Sequence, residues 1–180
     1  MHETAERRQV TILHCDIVDS TSLVTRLDPE ETMSVVRAYM DRCAASVDIY
    51  DGTVATYTGD GFQAYFGYPV AQEDPAVDAV MAALEVQRIL SSPDADIPFE
   101  LVCRIGIATG RVVVNQRGQG MADTIVEAFG TTTHLAARLE QAATPRSVFI
   151  DSATKDLCRD RFLLREVGTV AAKGFEQDVE

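Results

Sequence analysis

The sequence predicts an α+β fold in which helices flank a mainly antiparallel sheet. Candidate strands and helices are mixed along the chain in the order β-α-α-β-β-α-β-β-α-β, whereas a doubly wound parallel fold would alternate them strictly. The 180 residues are 46% hydrophobic and 24% charged, which is enough apolar material for one packed core. We therefore expect residues 1–180 to form a single domain.

The first strand and the first two helices are predicted before residue 50. Residues 8–18 are apolar and β-branched, which is typical of a buried strand. Ser20 and Thr21 can cap a short helix. Asp28 followed by Pro29 begins a longer helix, because Asp is a good N-cap and Pro fits the first turn. The residues spaced to form the apolar face of that helix are Met33, Val36, Met40, Cys43 and Val47.

Hairpins, two more long helices and a short helix are predicted in the rest of the chain. The segments TVATYT and FQAYFGY flank Gly59-Asp60-Gly61 and predict a hairpin. The stretch LVCRIGIATGRVVV predicts a strand, a glycine turn and a second strand, and residues 116–124 predict a polar loop. Residues 131–142 predict a helix, followed by the strand SVFI, a short helix and a final hairpin. A further helix is predicted over 74–91, with an apolar face of Val77, Val80, Met81, Leu84 and Ile89.

Composition excludes several classes of protein. The formal net charge of −12 disfavours binding to long nucleic acids. No apolar run approaches the roughly 20 residues of a membrane-spanning helix, and the first residues do not resemble a signal peptide. The four cysteines include no CxxC pair. We interpret them as reduced core residues of a cytoplasmic protein, and not as a zinc site or a disulfide framework.

Two aspartates are candidate metal ligands. Asp16 ends the first strand and Asp60 lies at the hairpin tip, so both carboxylates reach one end of the sheet if the hairpin pairs beside that strand. With the backbone carbonyl of Ile17 they offer the hard oxygen donors that Mg²⁺ and Mn²⁺ favour. The alternative for Asp60 is a simple turn residue. Asp16 is costly to bury unpaired, and the cations nearest in sequence, Arg7 and Arg8, lie at the beginning of the strand, far from Asp16.

A second candidate group lies on the helix over 131–142. His134 and Arg138 are four residues apart and share one helical face. A guanidinium suits a phosphoryl transition state because it can bind two oxygens at once. The alternative is that Arg138 is a solvated surface charge. Arg104 lies inside an apolar stretch and is expected to have a buried partner, most simply a carboxylate.

Four segments resemble the catalytic domain of class III adenylate and guanylate cyclases, in family order and over nearly the whole chain. They are VTILHCDIVDSTSL, VATYTGDGFQAYFGYP, LVCRIGIATGRVVV and FGTTTHLAARLEQA. The resemblance implies the class III cyclase fold, with a ferredoxin-like sheet, and conversion of ATP to cyclic AMP and pyrophosphate. RRQVTIL and FGYP are similar to bacterial cyclase domains that precede an ATPase and repeat region, so attached regulatory domains in a longer protein are expected.

The resemblance also implies a site shared by two chains. Asp16, Ile17 and Asp60 would bind two Mg²⁺ or Mn²⁺ ions at each site. Arg138 from the other protomer would stabilise the charge that develops at the α-phosphate. Such a homodimer is arranged head to tail, which gives two sites related by a twofold axis.

Four features depart from the family pattern. Thr56 stands where typical adenylate cyclases have an adenine-reading lysine, Glu127 where they have an aspartate, and His134 where an asparagine orients the ribose. Lys173 lies near the place of a phosphate-binding lysine, but Phe175 occupies that of a second lysine. Losing such contacts commonly costs about 10²–10³ in rate, so weak or conditional activity is expected.

These departures leave other interpretations open. One is a catalytically degenerate cyclase-homology domain that dimerises or binds nucleotide and regulates an attached module. Another is a diguanylate cyclase, but TGDGF lacks the Gly-Gly-acidic-acidic-Phe signature of that class. The choice between ATP and GTP is also open, because Glu127 can accept a hydrogen bond from adenine or from guanine.

Overall fold

A six-stranded sheet forms the centre of the computed structural model, which describes residues 4–20, 27–94, 96–117 and 125–169. In chain order the elements are β1 (Thr4–Ile17), α1 (Pro29–Ile49), β2 (Thr53–Thr58), β3 (Gly61–Phe66), α2 (Pro75–Leu90), β4 (Cys103–Arg117), β5 (Ile125–Phe129), α3 (Thr131–Ala142), β6 (Val148–Ile150) and α4 (Ser152–Leu157).

The sheet is mainly antiparallel, as predicted. Along the path β2-β3-β1-β4-β5 every neighbouring pair is antiparallel. The short strand β6 adds one parallel pair with β4. The α+β prediction is therefore confirmed.

The glycine turn predicted inside LVCRIGIATGRVVV is wrong, because β4 is one uninterrupted strand in which Gly110 pairs with Val10. A Cβ on Gly106 would lie 2.2 Å from the backbone oxygen of Ala136, and a Cβ on Gly110 would lie 2.4 Å from Oγ1 of Thr132. Both glycines therefore make room for α3 to pack directly on the strand.

Strand boundaries differ from the prediction at several places. β1 begins at Thr4, four residues earlier than predicted, because its first residues pair with the far end of β4. Gln116 and Arg117 belong to β4 and not to the predicted loop, whose remaining residues, 118–124, lie outside the described residues. The strand β5 was not predicted from the sequence.

Two other predictions fall wholly or partly outside the described residues. The short helix expected after Ser20 falls on 21–26, which are not described. Residues 158–169 contain no strand of the predicted final hairpin, and residues 170–180 are not described.

The predicted apolar faces of the two long helices are only partly right. Met33 on α1 is 59% exposed, and Met81 and Leu84 on α2 are 37% and 47% exposed. Instead α2 buries a face rich in alanine, which lets the helix approach its neighbours closely. The buried residues of α1 are Val35, Tyr39, Cys43, Ser46 and Val47.

The core lies on both faces of the sheet. One cluster packs the sheet against α1 and α2 and contains all four cysteines, which are buried free thiols as predicted. The other packs the sheet against α3 through residues such as Ile12, Tyr65 and Leu139. No helix in the described part of the chain is long and apolar enough to cross a membrane.

Candidate functional site

Pairing of β1 with β3 brings Asp16 and Asp60 to the same end of the sheet. Cys15 lies opposite Phe62, so Asp16 reaches the tight turn that carries Asp60. A Cβ on Gly61 would lie 3.1 Å from Oδ1 of Asp16. Burial and the nearby charge of Asp60 raise the pKa of the Asp16 carboxyl. The predicted placement of both carboxylates at one end of the sheet is therefore confirmed.

Arg104 is the cation that accompanies Asp16. The two residues lie opposite each other in the β1–β4 register, and Nη2 of Arg104 donates a hydrogen bond to Oδ2 of Asp16 at 3.3 Å. The same nitrogen lies 3.4 Å from Oε1 of Glu140 on α3. The expectation of a carboxylate partner for Arg104 is confirmed, with two carboxylates in place of one.

The residues at this end of the sheet suit a hard divalent cation. Burial and the charge of Asp16 raise the pKa of Glu140, and Arg104 contacts both of these carboxylates. Within the described ranges no group of three or more His, Cys, Asp or Glu side chains could hold a metal by itself. Mg²⁺ typically uses one or two protein carboxylates together with waters and substrate phosphates. Asp16, Asp60 and the backbone oxygen of Ile17 fit that pattern.

The helix α3 presents His134 and Arg138 on its exposed side. Glu140 is only 8% exposed and faces Arg104. Two residues correspond to about 200° of helical rotation, so Arg138 points away from Asp16 of its own chain. Its guanidinium donates to the side chain of Gln141 at 3.2 Å. Within the chain, Arg138 is thus not directed at the aspartate pair.

The strands that carry Thr56 and Glu127 meet although they are the two ends of the strand path. β2 contacts β5, and the Tyr65 hydroxyl accepts a hydrogen bond from the backbone N–H of Ala128 at 3.2 Å. Burial, with a further effect of Glu127, raises the pKa of Tyr65. Thr56 is exposed on β2, where it pairs with Gln63. Lys173, the predicted phosphate ligand, lies outside the described residues.

Sequence reasoning missed two further residues that lie between the sheet and α3, His14 on β1 and Glu140 on α3. Alternation along β1 places His14 on the same face as Asp16. Burial and the charge of His134 lower the pKa of His14 to about 4, so its imidazole is neutral at pH 7. Among the described residues its Nε2 is buried without a hydrogen bond. Glu140 could have been found only by knowing how α3 packs on β4.

Comparisons with known proteins agree on one family. The sequence profile of the adenylate and guanylate cyclase catalytic domain matches residues 2–180. Adenylate cyclase 1 of Rhizobium meliloti (strain 1021) is 33% identical over 176 residues, which cover 94% of this chain and 26% of that protein. The chain thus spans only part of the length of that relative.

Two solved structures have closely similar folds. The adenylyl cyclase CyaB from P. aeruginosa superposes with a TM-score of 0.84 at 26% identity, covering 98% of this chain and 93% of that chain. The guanylyl cyclase Cya2 superposes with a TM-score of 0.82 at 32% identity, covering 97% of this chain and 90% of that chain. Proteins named for either nucleotide therefore resemble this chain.

Proposed function

The chain belongs to the family of adenylate and guanylate cyclase catalytic domains, and we propose that it converts ATP to cyclic AMP and pyrophosphate in a head-to-tail homodimer. The observation that carries this proposal is the meeting of Asp16 and Asp60 at one end of the sheet, beside Arg104. The adenylate cyclase relative with 33% identity supports ATP as the substrate.

The aspartate pair holds the cations in this mechanism. Carboxylate oxygens of Asp16 and Asp60 and the backbone oxygen of Ile17 would bind two Mg²⁺ or Mn²⁺ ions. When bound, such ions make the ribose 3′-hydroxyl more acidic and neutralise the triphosphate. The raised pKa of Asp16 is consistent with a carboxylate whose negative charge lacks full compensation within the chain.

The orientation of α3 supports a site completed by a second protomer. Arg138 points away from its own Asp16, so it is available to the aspartates of a partner related by a twofold axis. There its planar guanidinium would bind two oxygens of the α-phosphate as charge develops. His134, on the same exposed side, would hydrogen-bond the ribose.

The base would be recognised where β2 and β5 meet. Glu127 would accept a hydrogen bond from the adenine amino group, and Thr56 would donate one to a ring nitrogen. The neutral Thr56 hydroxyl cannot provide the charge-assisted contact of a lysine, so we expect slow turnover. Lys173 would contact the triphosphate. The four buried thiols favour a reducing, cytoplasmic location.

Product formation by the purified chain tests the proposal. ATP or GTP is incubated with Mn²⁺ or Mg²⁺ and the products are separated by chromatography. Cyclic AMP from ATP is the expected result, and preferential formation of cyclic GMP would contradict the choice of substrate. Dimers that bind nucleotide without any cyclic product would favour the regulatory, non-catalytic alternative suggested by the residues at positions 56, 127 and 134.

A further inference from the structure

One guanidinium connects the aspartate pair to α3. Nη2 of Arg104 donates to Asp16 at 3.3 Å and lies 3.4 Å from Oε1 of Glu140. Arg104 comes from β4, Asp16 from β1 and Glu140 from α3, so three elements meet at one nitrogen atom. The proposed reaction assigns no task to Arg104 or to Glu140.

The contacts of Arg104 are unequal. Its contact with Asp16 has hydrogen-bond geometry, whereas its contact with Glu140 is an ion pair only. Within the described part of the chain, Nε of Arg104 and Oε1 of Glu140 are buried and make no hydrogen bond. An ion pair with unused buried atoms is poorly arranged for stability. A guanidinium with spare donors can, however, turn from one carboxylate to the other.

The position of Arg104 affects how strongly the neighbouring carboxylates attract a cation. Asp16, Asp60 and Glu140 are close enough to influence one another electrostatically. While Arg104 binds Asp16, it removes part of the negative charge that would attract a metal ion. Glu140 competes for the same nitrogen and so leaves more charge on Asp16.

We propose that Arg104 and Glu140 are positioning residues. Because Arg104 is shared between Asp16 and Glu140, it sets the negative charge that the aspartate pair presents to a cation. It also connects that pair to α3, the helix that carries Arg138. This inference rests on the proposed function. In a head-to-tail dimer Asp16 serves one site and Arg138 of the same chain serves the other. The three-residue contact therefore links the two sites through each protomer.

Binding of Mn²⁺ to the purified chain tests the first part, with free Mn²⁺ measured by electron paramagnetic resonance. Glu140→Gln keeps the side-chain shape, removes one negative charge and frees Arg104 to turn fully onto Asp16. We expect its Kd for Mn²⁺ to rise about threefold to tenfold. Arg104→Lys, which cannot span both carboxylates with a planar group, provides a second variant and should also change the Kd.

The matched control is Glu85→Gln. Glu85 pairs with Arg88 on α2, on the opposite face of the sheet, and its loss changes the net charge equally. Its Kd should stay within about twofold of wild type. If Glu140→Gln and Glu85→Gln change the Kd for Mn²⁺ equally, while Mn²⁺ binding still depends on Asp60, this inference is overturned and the proposed function is not. Mn²⁺ binding that is indifferent to Asp60→Ala would overturn the proposed function as well.

Mixed dimers test the link to α3. In a mixture of Arg138→Ala and Asp60→Ala chains, the working site takes its aspartates from the first chain and Arg138 from the second. Glu140→Gln in the first chain should raise the KM for Mn²⁺, and in the second chain it should lower kcat. If Glu140→Gln changes KM and kcat in the same way whichever chain carries it, and also lowers Tm, then Glu140 serves only to stabilise the fold.

Discussion

The backbone oxygen of Ala136 lies so close to Gly106 that a Cβ on the glycine would be 2.2 Å away from it. The backbone nitrogen of Glu140 is equally close, at 2.2 Å from the same position. β4 and α3 therefore meet backbone to backbone, with no side chain between them. Any added atom at residue 106 has to push the helix off the sheet.

We predict that Gly106→Ala destabilises the fold by about 1–3 kcal/mol, because overpacking against backbone cannot be relieved by a rotamer change. Urea denaturation followed by circular dichroism measures the effect. Gly110→Ala is the control, since its added methyl meets the side chain of Thr132, which can rotate. Equal stability of the two variants would contradict the close backbone packing.

Removal of Asp60 should abolish the reaction. We expect Asp60→Ala to lower product formation at least about 10²-fold, because one of the two carboxylates that bind the cations is lost. Chromatography of the products measures it, and Asp48→Ala, on the exposed side of α1, serves as the control. Turnover like that of the wild type in Asp60→Ala would refute the metal role of this residue.

Mixing two inactive variants should restore activity. Arg138→Ala and Asp60→Ala chains in equal amounts form mixed dimers in half of all cases, and each mixed dimer has one intact site. We expect about a quarter of the wild-type rate per chain. The mixing ratio is varied while product is measured, and a failure to regain activity at every ratio would argue against shared sites.

The pH dependence of stability should reveal Asp16. Because burial and the charge of Asp60 raise its pKa, its favourable contribution is complete below its ordinary value of 3.8 and is lost as the pH rises through the raised value. Without metal, Asp16→Asn should therefore match the wild type in acid and become more stable toward neutral pH.

Thermal denaturation in a chelator from about pH 4 to pH 8 tests this, and a gain of a few degrees in Tm is the expected size. Added Mn²⁺ should then stabilise the wild type and not Asp16→Asn, because ligand binding to the native state raises Tm. If the wild type is more stable than Asp16→Asn at neutral pH without metal, the predicted direction of the pH dependence is wrong.

The base pocket should respond to the residues found in typical adenylate cyclases. Thr56→Lys combined with Glu127→Asp should raise the ratio of kcat/KM for ATP to that for GTP about tenfold, because a lysine donates a charge-assisted hydrogen bond to an adenine ring nitrogen. Parallel assays with both nucleotides measure the ratio. An unchanged ratio would place base recognition elsewhere.

The sequence predicted the aspartate pair because a hairpin with a Gly-Asp-Gly turn has a defined tip and the neighbouring strand has a defined end. It also predicted that Arg104 needs a carboxylate, since a buried guanidinium requires one. It could not identify the partners, because Asp16 and Glu140 meet Arg104 only through the β1–β4 register and the packing of α3. Both depend on contacts between residues far apart in the chain.

The two glycines of β4 show why local signals were misleading. Glycine indicates a turn when only neighbouring residues are considered, but Gly106 and Gly110 are needed because a helix lies on them. The exposure of Met33 on α1 has a similar origin, since the buried face of the helix is chosen by the surface it meets and not by its own hydrophobicity alone.

The uninterrupted course of β4 also limits how this domain can diverge. Deleting or adding one residue between Arg104 and Gly110 would turn every later side chain to the other face of the sheet. The strand could then not place both Arg104 opposite Asp16 and its later residues opposite their present partners. The glycines that make room for α3 would no longer both lie under the helix. Homologous chains can therefore exchange residues in this strand, but their insertions and deletions should fall outside it.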